Sequence, residues 1–108
     1  MTQVAVVAKL TAAEGKHEEL AAVIADLVTQ VQDGEPGTLV YSAGQDTDDA
    51  SLFWFYEFYG SPDAAAEHST GPALAKAAER MRGLLAGRPE VHRLTPIAGK
   101  GLPGQASV

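Results

Sequence analysis

The stretch Leu52-Phe53-Trp54-Phe55-Tyr56-Glu57-Phe58-Tyr59 decides the fold, because it holds six of the seven aromatic residues of this 108-residue chain. Aromatic residues favour β-strands, in which side chains point alternately to the two faces of the sheet. Both faces of this predicted strand are aromatic, and one of them also carries Glu57. Helices of the same chain cover only one face of a single sheet. We therefore expect a second copy of the chain to cover the other face.

Upstream of the aromatic strand, which we place at Ser51 to Tyr59, the sequence predicts a strand, a helix and another strand. The first strand runs from Gln3 to Leu10, and Thr11 with Glu14 has the spacing of a capping box that starts the helix. Apolar residues recur at helical spacing until the Gly and Pro of residues 33–37 end the helix. The next strand covers residues 38–43 and forms a hairpin with the aromatic strand.

Downstream, Ser61-Pro62-Asp63 is typical of a helix start. Residues 69–72 break that helix and open a longer one, which extends through Leu85 until Gly and Pro residues end it. The last strand covers residues 91–97. The resulting order, β-α-β-β-α-α-β, predicts an α+β fold of the ferredoxin-like, split βαβ type, an antiparallel sheet with its helices on one face. We predict one domain in residues 1–98 and a flexible tail in residues 99–108.

The composition excludes several classes of protein. Without cysteine, the chain has no disulfide, no thiolate nucleophile and no cysteine-ligated metal. It has no phosphate-binding loop, dinucleotide fingerprint or pair of histidines at metal-ligand spacing, so we expect neither a cofactor nor a metal. A net charge of −6 without a basic face argues against nucleic acid and anionic membranes as partners. Neither a signal peptide nor a membrane-length apolar run is present, and we expect a cytoplasmic protein.

The basic residues are concentrated late in the chain. Residues 17–75 contain no Lys or Arg but eleven Asp and Glu, whereas five of the eight basic residues lie between positions 76 and 93. These five are Lys76, Arg80, Arg82, Arg88 and Arg93. We interpret this cluster as a solvated helix face, with an anion-binding site as the alternative.

Four short motifs lie in the same order as in one known family. They are Glu35-Pro36-Gly37-Thr38 leading into Tyr41, the segment from Phe53 to Tyr59, Ser61-Pro62 followed by alanines and His68, and Leu84-Leu85-x-Gly87. Over residues 3 to 97 the chain resembles the antibiotic biosynthesis monooxygenase family of dimeric α+β barrels. The resemblance implies a homodimer joined through the open sheet face, with a pocket between helices and sheet in each subunit.

In the best-understood members of that family, the reaction is cofactor-independent oxidation of phenols or quinols by dioxygen. Related members degrade haem, isomerise small metabolites or have no assigned reaction, so the resemblance does not fix the chemistry. The haem-degrading branch uses Asn, Trp and His at positions that hold Ala8, His68 and Ala78 here. We therefore do not expect haem oxygenation.

Two residues are candidate catalytic groups. His68 lies among alanines, and an imidazole changes its charge near neutral pH, which suits a general base toward a phenol. The alternative for His68 is a surface or helix-capping role. Glu57 lies in an otherwise apolar strand face, where an unpaired carboxylate is costly. It either orients a histidine or accepts a substrate hydroxyl, or it pairs with Arg80 or Arg93.

Five aromatic residues are candidates for binding the substrate. Trp54, Tyr56 and Tyr59 could stack on an aromatic ring or relay an electron, and the alternative is that they form core or dimer contacts. Tyr41 could donate a hydrogen bond into the pocket, and Phe55 completes the candidate set. Neither His17 nor His92 has a metal-binding or catalytic neighbour in the sequence, and we expect structural roles for both.

The functional hypothesis is a homodimeric, cofactor-independent monooxygenase that oxidises a phenolic or quinol-type aromatic molecule with dioxygen. His68 would remove the phenolic proton and Glu57 would orient it. Two alternatives stay open: a non-catalytic small-molecule-binding or stress-related protein, and an isomerase that uses the same histidine as a proton shuttle. The sequence does not identify the substrate.

Overall fold

The structure, a computed structural model, describes residues 2–103 and contains four strands and three helices. Their order is that predicted from the sequence, β-α-β-β-α-α-β. The elements are β1 (Val4–Thr11), α1 (His17–Gly34), β2 (Thr38–Gln45), β3 (Leu52–Tyr59), α2 (Pro62–Thr70), α3 (Pro72–Arg80) and β4 (Glu90–Leu94). The sheet is antiparallel with the strand order β2-β3-β1-β4, which confirms the ferredoxin-like α+β fold. Within one chain the sheet is open rather than closed into a barrel.

The strand register separates the two faces of the sheet. Val6 pairs with Glu57 on one side and with Arg93 on the other, so these three side chains lie in one row across β3, β1 and β4. Residues in this row and its alternate neighbours face the helices. The opposite face of β3 carries Trp54, which is 39% exposed, and Tyr56. This second face is the open face of the sheet.

The main core lies between α1 and the helix-covered face of the sheet. Leu20 is fully buried, and Val23, Ile24, Leu27 and Val31 follow it at helical spacing on the same face of α1. They pack in one cluster with Phe53 and Phe55 of β3 and with Met81 and Leu84, which follow α3. Burial of these side chains fixes the position of the helix layer over the sheet.

The predicted capping box at Thr11 and Glu14 is wrong. Thr11 is the last residue of β1, where its carbonyl accepts a hydrogen bond from the Ala86 N–H at 2.8 Å. The helix begins six residues later at His17, and no side chain caps its first turn. Pairing of Thr11 across the sheet thus replaces the local hydrogen bonds that a capping box would have formed.

The predicted start of α2 at Ser61-Pro62 is confirmed, and it leads to the first prediction. Ser61 Oγ accepts a hydrogen bond from the Ala64 N–H at 3.1 Å, and Pro62 occupies the first turn. We expect Ser61→Ala to lower the free energy of unfolding by about 1 kcal/mol, because a backbone donor of the first turn loses its partner. Urea denaturation measures this change. Thr29→Ala is the control, since the Thr29 hydroxyl only donates to a carbonyl of its own helix. Equal losses in the two variants would contradict the capping role.

The predicted extension of the last helix through Leu85 is wrong. α3 ends at Arg80, and residues 81–84 form a turn in which the Leu84 N–H donates to the Met81 carbonyl at 2.9 Å. Gly83 in this turn has φ +79°, a backbone conformation that residues other than glycine rarely adopt. Leu85 then forms an isolated β-bridge with Ala12. The apolar spacing of this segment therefore reflects burial of a turn rather than a helix.

The last strand is shorter than predicted, since β4 covers Glu90–Leu94 and not residues 91–97. Residues 99–103 of the predicted tail contain no helix or strand, and residues 104–108 lie outside the described part of the chain. Gln3 Nε2 donates to the Pro103 carbonyl at 3.5 Å. Among the described residues, no helix is long and apolar enough to cross a membrane.

Candidate functional site

An apolar cleft of about 610 Å³ lies between the sheet and the helix layer. Its floor comes from β1 and β3, including Val6, Ala8 and Phe55, and its walls come from α2, α3 and the segment that follows α3. Among its described lining residues, only four belong to charged types, namely Glu57, His68, Arg82 and Arg93. A concave, mostly apolar space with a few polar groups is the usual form of a small-molecule site.

A hydrogen-bonded pair, Glu35 and His68, links the end of α1 to α2. His68 Nδ1 donates to Glu35 Oε1 at 2.8 Å, and the same oxygen accepts a hydrogen bond from Thr38 Oγ1 at 3.1 Å. Glu35 follows the last residue of α1, while His68 lies on the buried side of α2 with Ala64 and Ala65. Because a carboxylate only accepts hydrogen bonds, this contact places a proton on Nδ1 and leaves Nε2 as the basic nitrogen of a neutral ring.

Glu57 is the second carboxylate near His68. Its Oε1 lies 3.9 Å from His68 Nε2, and it accepts a hydrogen bond of 2.5 Å from the Tyr59 hydroxyl. Apart from tyrosine, Glu57 and His68 are the two polar or charged residues that are buried in the described part of the chain, at 7% and 5% exposure. The 3.9 Å separation is too long for a hydrogen bond, so Nε2 stays available to a ligand.

Aromatic rings enclose the imidazole. The ring centroid of Tyr41 lies 4.9 Å from that of His68, and the centroid of Tyr59 lies 5.6 Å from it. Burial, followed by the charge of Glu57, raises the pKa of Tyr41 well above its usual range. Burial and the hydrogen bond to Glu57 likewise raise the pKa of Tyr59. Both phenols therefore keep their protons: the Tyr59 hydroxyl donates to Glu57, and the Tyr41 hydroxyl can donate to a ligand.

This arrangement can transfer a proton. Nε2 of His68 can accept one from a hydroxyl in the cleft, and the resulting imidazolium would lie between the carboxylates of Glu35 and Glu57. Two negative charges beside a buried imidazole stabilise a positive charge more strongly than they would in water. The site thus has the parts of a general base with an orienting partner, as in other base–carboxylate pairs.

Burial also raises the pKa of Glu57, although the Tyr59 hydrogen bond and the charge of His68 oppose that shift. The native state then holds this proton to a higher pH than the unfolded chain does. The stability that the group contributes is complete below its unfolded pKa and is lost as pH rises through its folded pKa.

We accordingly expect Glu57→Gln to increase the free energy of unfolding at pH 8 by about 1 kcal/mol. The difference from the unmodified chain should vanish below about pH 3, well under the ordinary pKa of a glutamate, where the carboxyl is protonated in both states. Urea denaturation as a function of pH measures it, with the exposed Glu67→Gln as the matched control. A stability loss at pH 8 would mean that the charge of Glu57 is needed to hold the site together.

The cleft includes five of the seven residues predicted for the site: His68, Glu57, Tyr41, Phe55 and Tyr59. Trp54 and Tyr56 are not among them, because alternation along β3 directs both to the open face. Trp54 Nε1 donates there to Asp46 at 3.1 Å, and Lys9 lies over its ring. The alternative in which Glu57 pairs with Arg80 is wrong, since Arg80 Nη1 lies 2.8 Å from Asp26 Oδ2 and forms a salt bridge with it. Glu57 has Tyr59 as its partner instead of Arg93.

Glu35 is the residue that the sequence hypothesis left out of the site. The sequence assigns Glu35 only to the segment that ends α1 and to a family motif. The signal was present in that motif, because Glu35 precedes Pro36-Gly37-Thr38 at the turn into β2. A turn between α1 and β2 lies at the same end of the sheet as the start of α2, which brings Glu35 to His68 although 33 residues separate them. Among residues 2–103, no group of three or more His, Asp and Glu side chains is placed to hold a metal ion.

Comparison with known proteins agrees with the fold described above. The model of the antibiotic biosynthesis monooxygenase family matches residues 3–80. A candidate antibiotic biosynthesis monooxygenase from Caulobacter crescentus is 29% identical, with a TM-score of 0.84 over 89% of this chain and 91% of that one. A second candidate, from Chloroflexus aurantiacus, is 26% identical, with a TM-score of 0.77 over 93% and 98%.

PA3566 from Pseudomonas aeruginosa is also 26% identical, with a TM-score of 0.82 over 91% of this chain and 97% of that one. No curated protein gives a significant match. The family match covers β1 to α3, and therefore includes Glu35, Glu57 and His68. The chain belongs to the antibiotic biosynthesis monooxygenase family.

Proposed function

We propose that this protein is a cofactor-independent monooxygenase that oxidises a phenolic or quinol-type aromatic molecule with dioxygen. The observation that carries the proposal is the Glu35–His68 pair, which directs an unoccupied Nε2 into an apolar cleft. Family membership supports a monooxygenase-type reaction, and the cleft has the volume of a small-molecule site.

In the proposed reaction, His68 Nε2 removes the proton of the substrate hydroxyl. The phenolate that forms is electron-rich enough to give one electron to dioxygen, which yields superoxide and a substrate radical. These two recombine to form a carbon–oxygen bond, and the His68 imidazolium returns its proton to the peroxide. The resulting hydroperoxide loses water to give a quinone. One oxygen atom of dioxygen ends in the quinone carbonyl, and the other leaves as water. The two hydrogens of that water come from the oxidised carbon and from the phenolic hydroxyl of the substrate.

The surrounding side chains support this sequence of steps. Glu35 and Glu57 stabilise the imidazolium that forms after proton transfer. Phe55 and Tyr41 can hold an aromatic ring against the floor of the cleft, with the Tyr41 phenol as a donor to its hydroxyl. Apolar walls exclude water from the reactive phenolate. We also propose a homodimer that covers the open face, where Trp54 and Leu94 are 39% and 46% exposed.

The test is oxygen uptake by chelator-treated protein with hydroquinones, dihydroxynaphthalenes and anthrones. The expected result is quinone formation above the spontaneous rate, with one atom of isotopically labelled dioxygen in the product. Conversion of a compound without oxygen would instead indicate an isomerase. Binding of these compounds without turnover in air or under argon would indicate a binding protein, and either result would reject the monooxygenase proposal.

A further inference from the structure

Two arginines, Arg82 and Arg93, line the cleft, although the chain as a whole has a net charge of −6. Both side chains are exposed, and among the described residues neither guanidinium has a carboxylate within salt-bridge distance. Arg80, two residues before Arg82, is by contrast paired with Asp26. Arg82 and Arg93 are exposed, as the interpretation of the late basic cluster predicts, but they lie in the turn after α3 and in β4 rather than on a helix face.

The sheet fixes the distance between the arginine end and the proton-accepting end of the cleft. Glu57, Val6 and Arg93 lie in one row on three adjacent strands, β3, β1 and β4. Two strand spacings separate the first from the last, which is about 10 Å. Between them lies the apolar floor formed by Val6 and Ala8. A ligand that reaches from His68 to Arg93 thus needs an apolar body that spans β1.

Arg82 lines the cleft from a different element of the chain. It lies in the turn that follows α3, between Met81 and Leu84, which are 7% and 8% exposed. Burial of these two neighbours anchors the turn against the core, while Gly83 with φ +79° lets the chain reverse there. The two arginines therefore line the same cleft, Arg82 from the turn that follows α3 and Arg93 from β4, the edge strand of the sheet.

We propose that the substrate is a fused-ring phenol with a carboxylate at the end opposite its reacting hydroxyl, and that Arg82 and Arg93 bind this carboxylate. Arginine is suited to this role because its planar group can form two parallel hydrogen bonds to a carboxylate. The charges also orient the ligand, since Glu35 and Glu57 repel a carboxylate at the inner end. The assignment of the hydroxyl end rests on the proposed function, whereas binding of the carboxylate does not.

Binding without turnover tests this inference. Isothermal titration under argon compares a hydroxynaphthoic acid, with hydroxyl and carboxylate on opposite rings, against the matching naphthol without the carboxylate. We expect the acid to bind at least about tenfold more tightly, as a charge-assisted hydrogen bond would give. Arg93→Gln and Arg82→Gln should each reduce that preference severalfold and leave the naphthol unaffected. Arg88→Gln is the matched control, because Arg88 is exposed but does not line the cleft.

Equal affinity for the two compounds, or a preference that survives in the Arg82→Gln/Arg93→Gln double variant, would overturn the inference. Failure of both compounds to bind would overturn it as well. The proposed oxidation can fail separately: a cleft that prefers the acid but never consumes oxygen would keep the anion site and reject the monooxygenase. Oxidation of uncharged phenols with no preference for acids would support the monooxygenase and reject the anion site.

Discussion

Replacing His68 with Asn should slow quinone formation by about 100- to 10,000-fold, the usual contribution of a general base. Nε2 of His68 is the basic atom directed into the cleft, and the neighbouring Glu57 has its own partner in Tyr59. The fold should survive, because Glu35 keeps its hydrogen bond from Thr38 and an asparagine amide can still donate at this place. Oxygen uptake and thermal unfolding of the same preparation measure both effects.

His17→Asn is the control for this experiment. His17 is the first residue of α1 and does not line the cleft, so its replacement should leave the rate unchanged. If His68→Asn kept more than about a third of the activity, the proton would have to leave by another route, and His68 would not be the base. A variant that loses both activity and its folding transition would be replaced by His68→Gln, which retains more of the side-chain volume.

Gly37→Ala should cost about 1–3 kcal/mol of stability, the usual penalty of inserting a methyl group into a packed site. A Cβ at position 37 would lie 2.8 Å from Ala64 Cβ and 3.6 Å from its Cα. Gly37 does not have a positive φ, so the backbone itself tolerates alanine and the effect arises from this contact alone. Because Gly37 lies two residues after Glu35, the clash should also separate Glu35 from His68 and lower activity.

The partner substitution makes this prediction specific. Ala64→Gly removes the methyl group that Gly37→Ala meets, at a cost of about 0.5–1 kcal/mol for glycine in a helix. The double variant should therefore be more stable than the sum of the two single losses predicts, with a coupling of at least about 0.5 kcal/mol. Urea denaturation of the four chains measures this cycle. Additive losses would show that α2 does not pack on the turn as closely as the distances indicate.

The sequence predicted the order of the elements because each has a strong local signal. The aromatic run could only be a strand, and Ser61-Pro62 has both the side-chain acceptor and the fixed φ that a first turn needs. Two local signals, the capping-box spacing at Thr11 and the helical spacing through Leu85, gave wrong predictions for the same reason. Thr11 and Leu85 have partners far away in the chain, Ala86 and Ala12 respectively, and such pairings override the spacing of neighbouring residues.

The sequence predicts those site residues that are unusual for the segment in which they lie. Glu57 is a charge in an aromatic strand, and His68 is an imidazole in an alanine helix, so each is visible on its own. Glu35 is an ordinary carboxylate in a turn, and only the packing of α2 against that turn gives it a partner. The choice between Tyr59 and Trp54 as cleft residues likewise depends on which face of β3 the helices cover, and periodicity alone does not supply that information.

The end of the cleft bordered by Arg82 and Arg93 comes from residues beyond position 80, after the segment that the family model matches. The proposed proton acceptor, His68, and the residues proposed to hold the ring, Tyr41 and Phe55, all come from residues before it. The proposed reaction and the proposed binding of the carboxylate thus depend on separate stretches of the chain, so the second can diverge without the first. A change in the length or charge of residues 81–93 would alter which molecules bind in the cleft. It would leave the proposed base His68 and its neighbours Glu35 and Glu57 unchanged. The fold is therefore well arranged to acquire new substrates by changing one short segment.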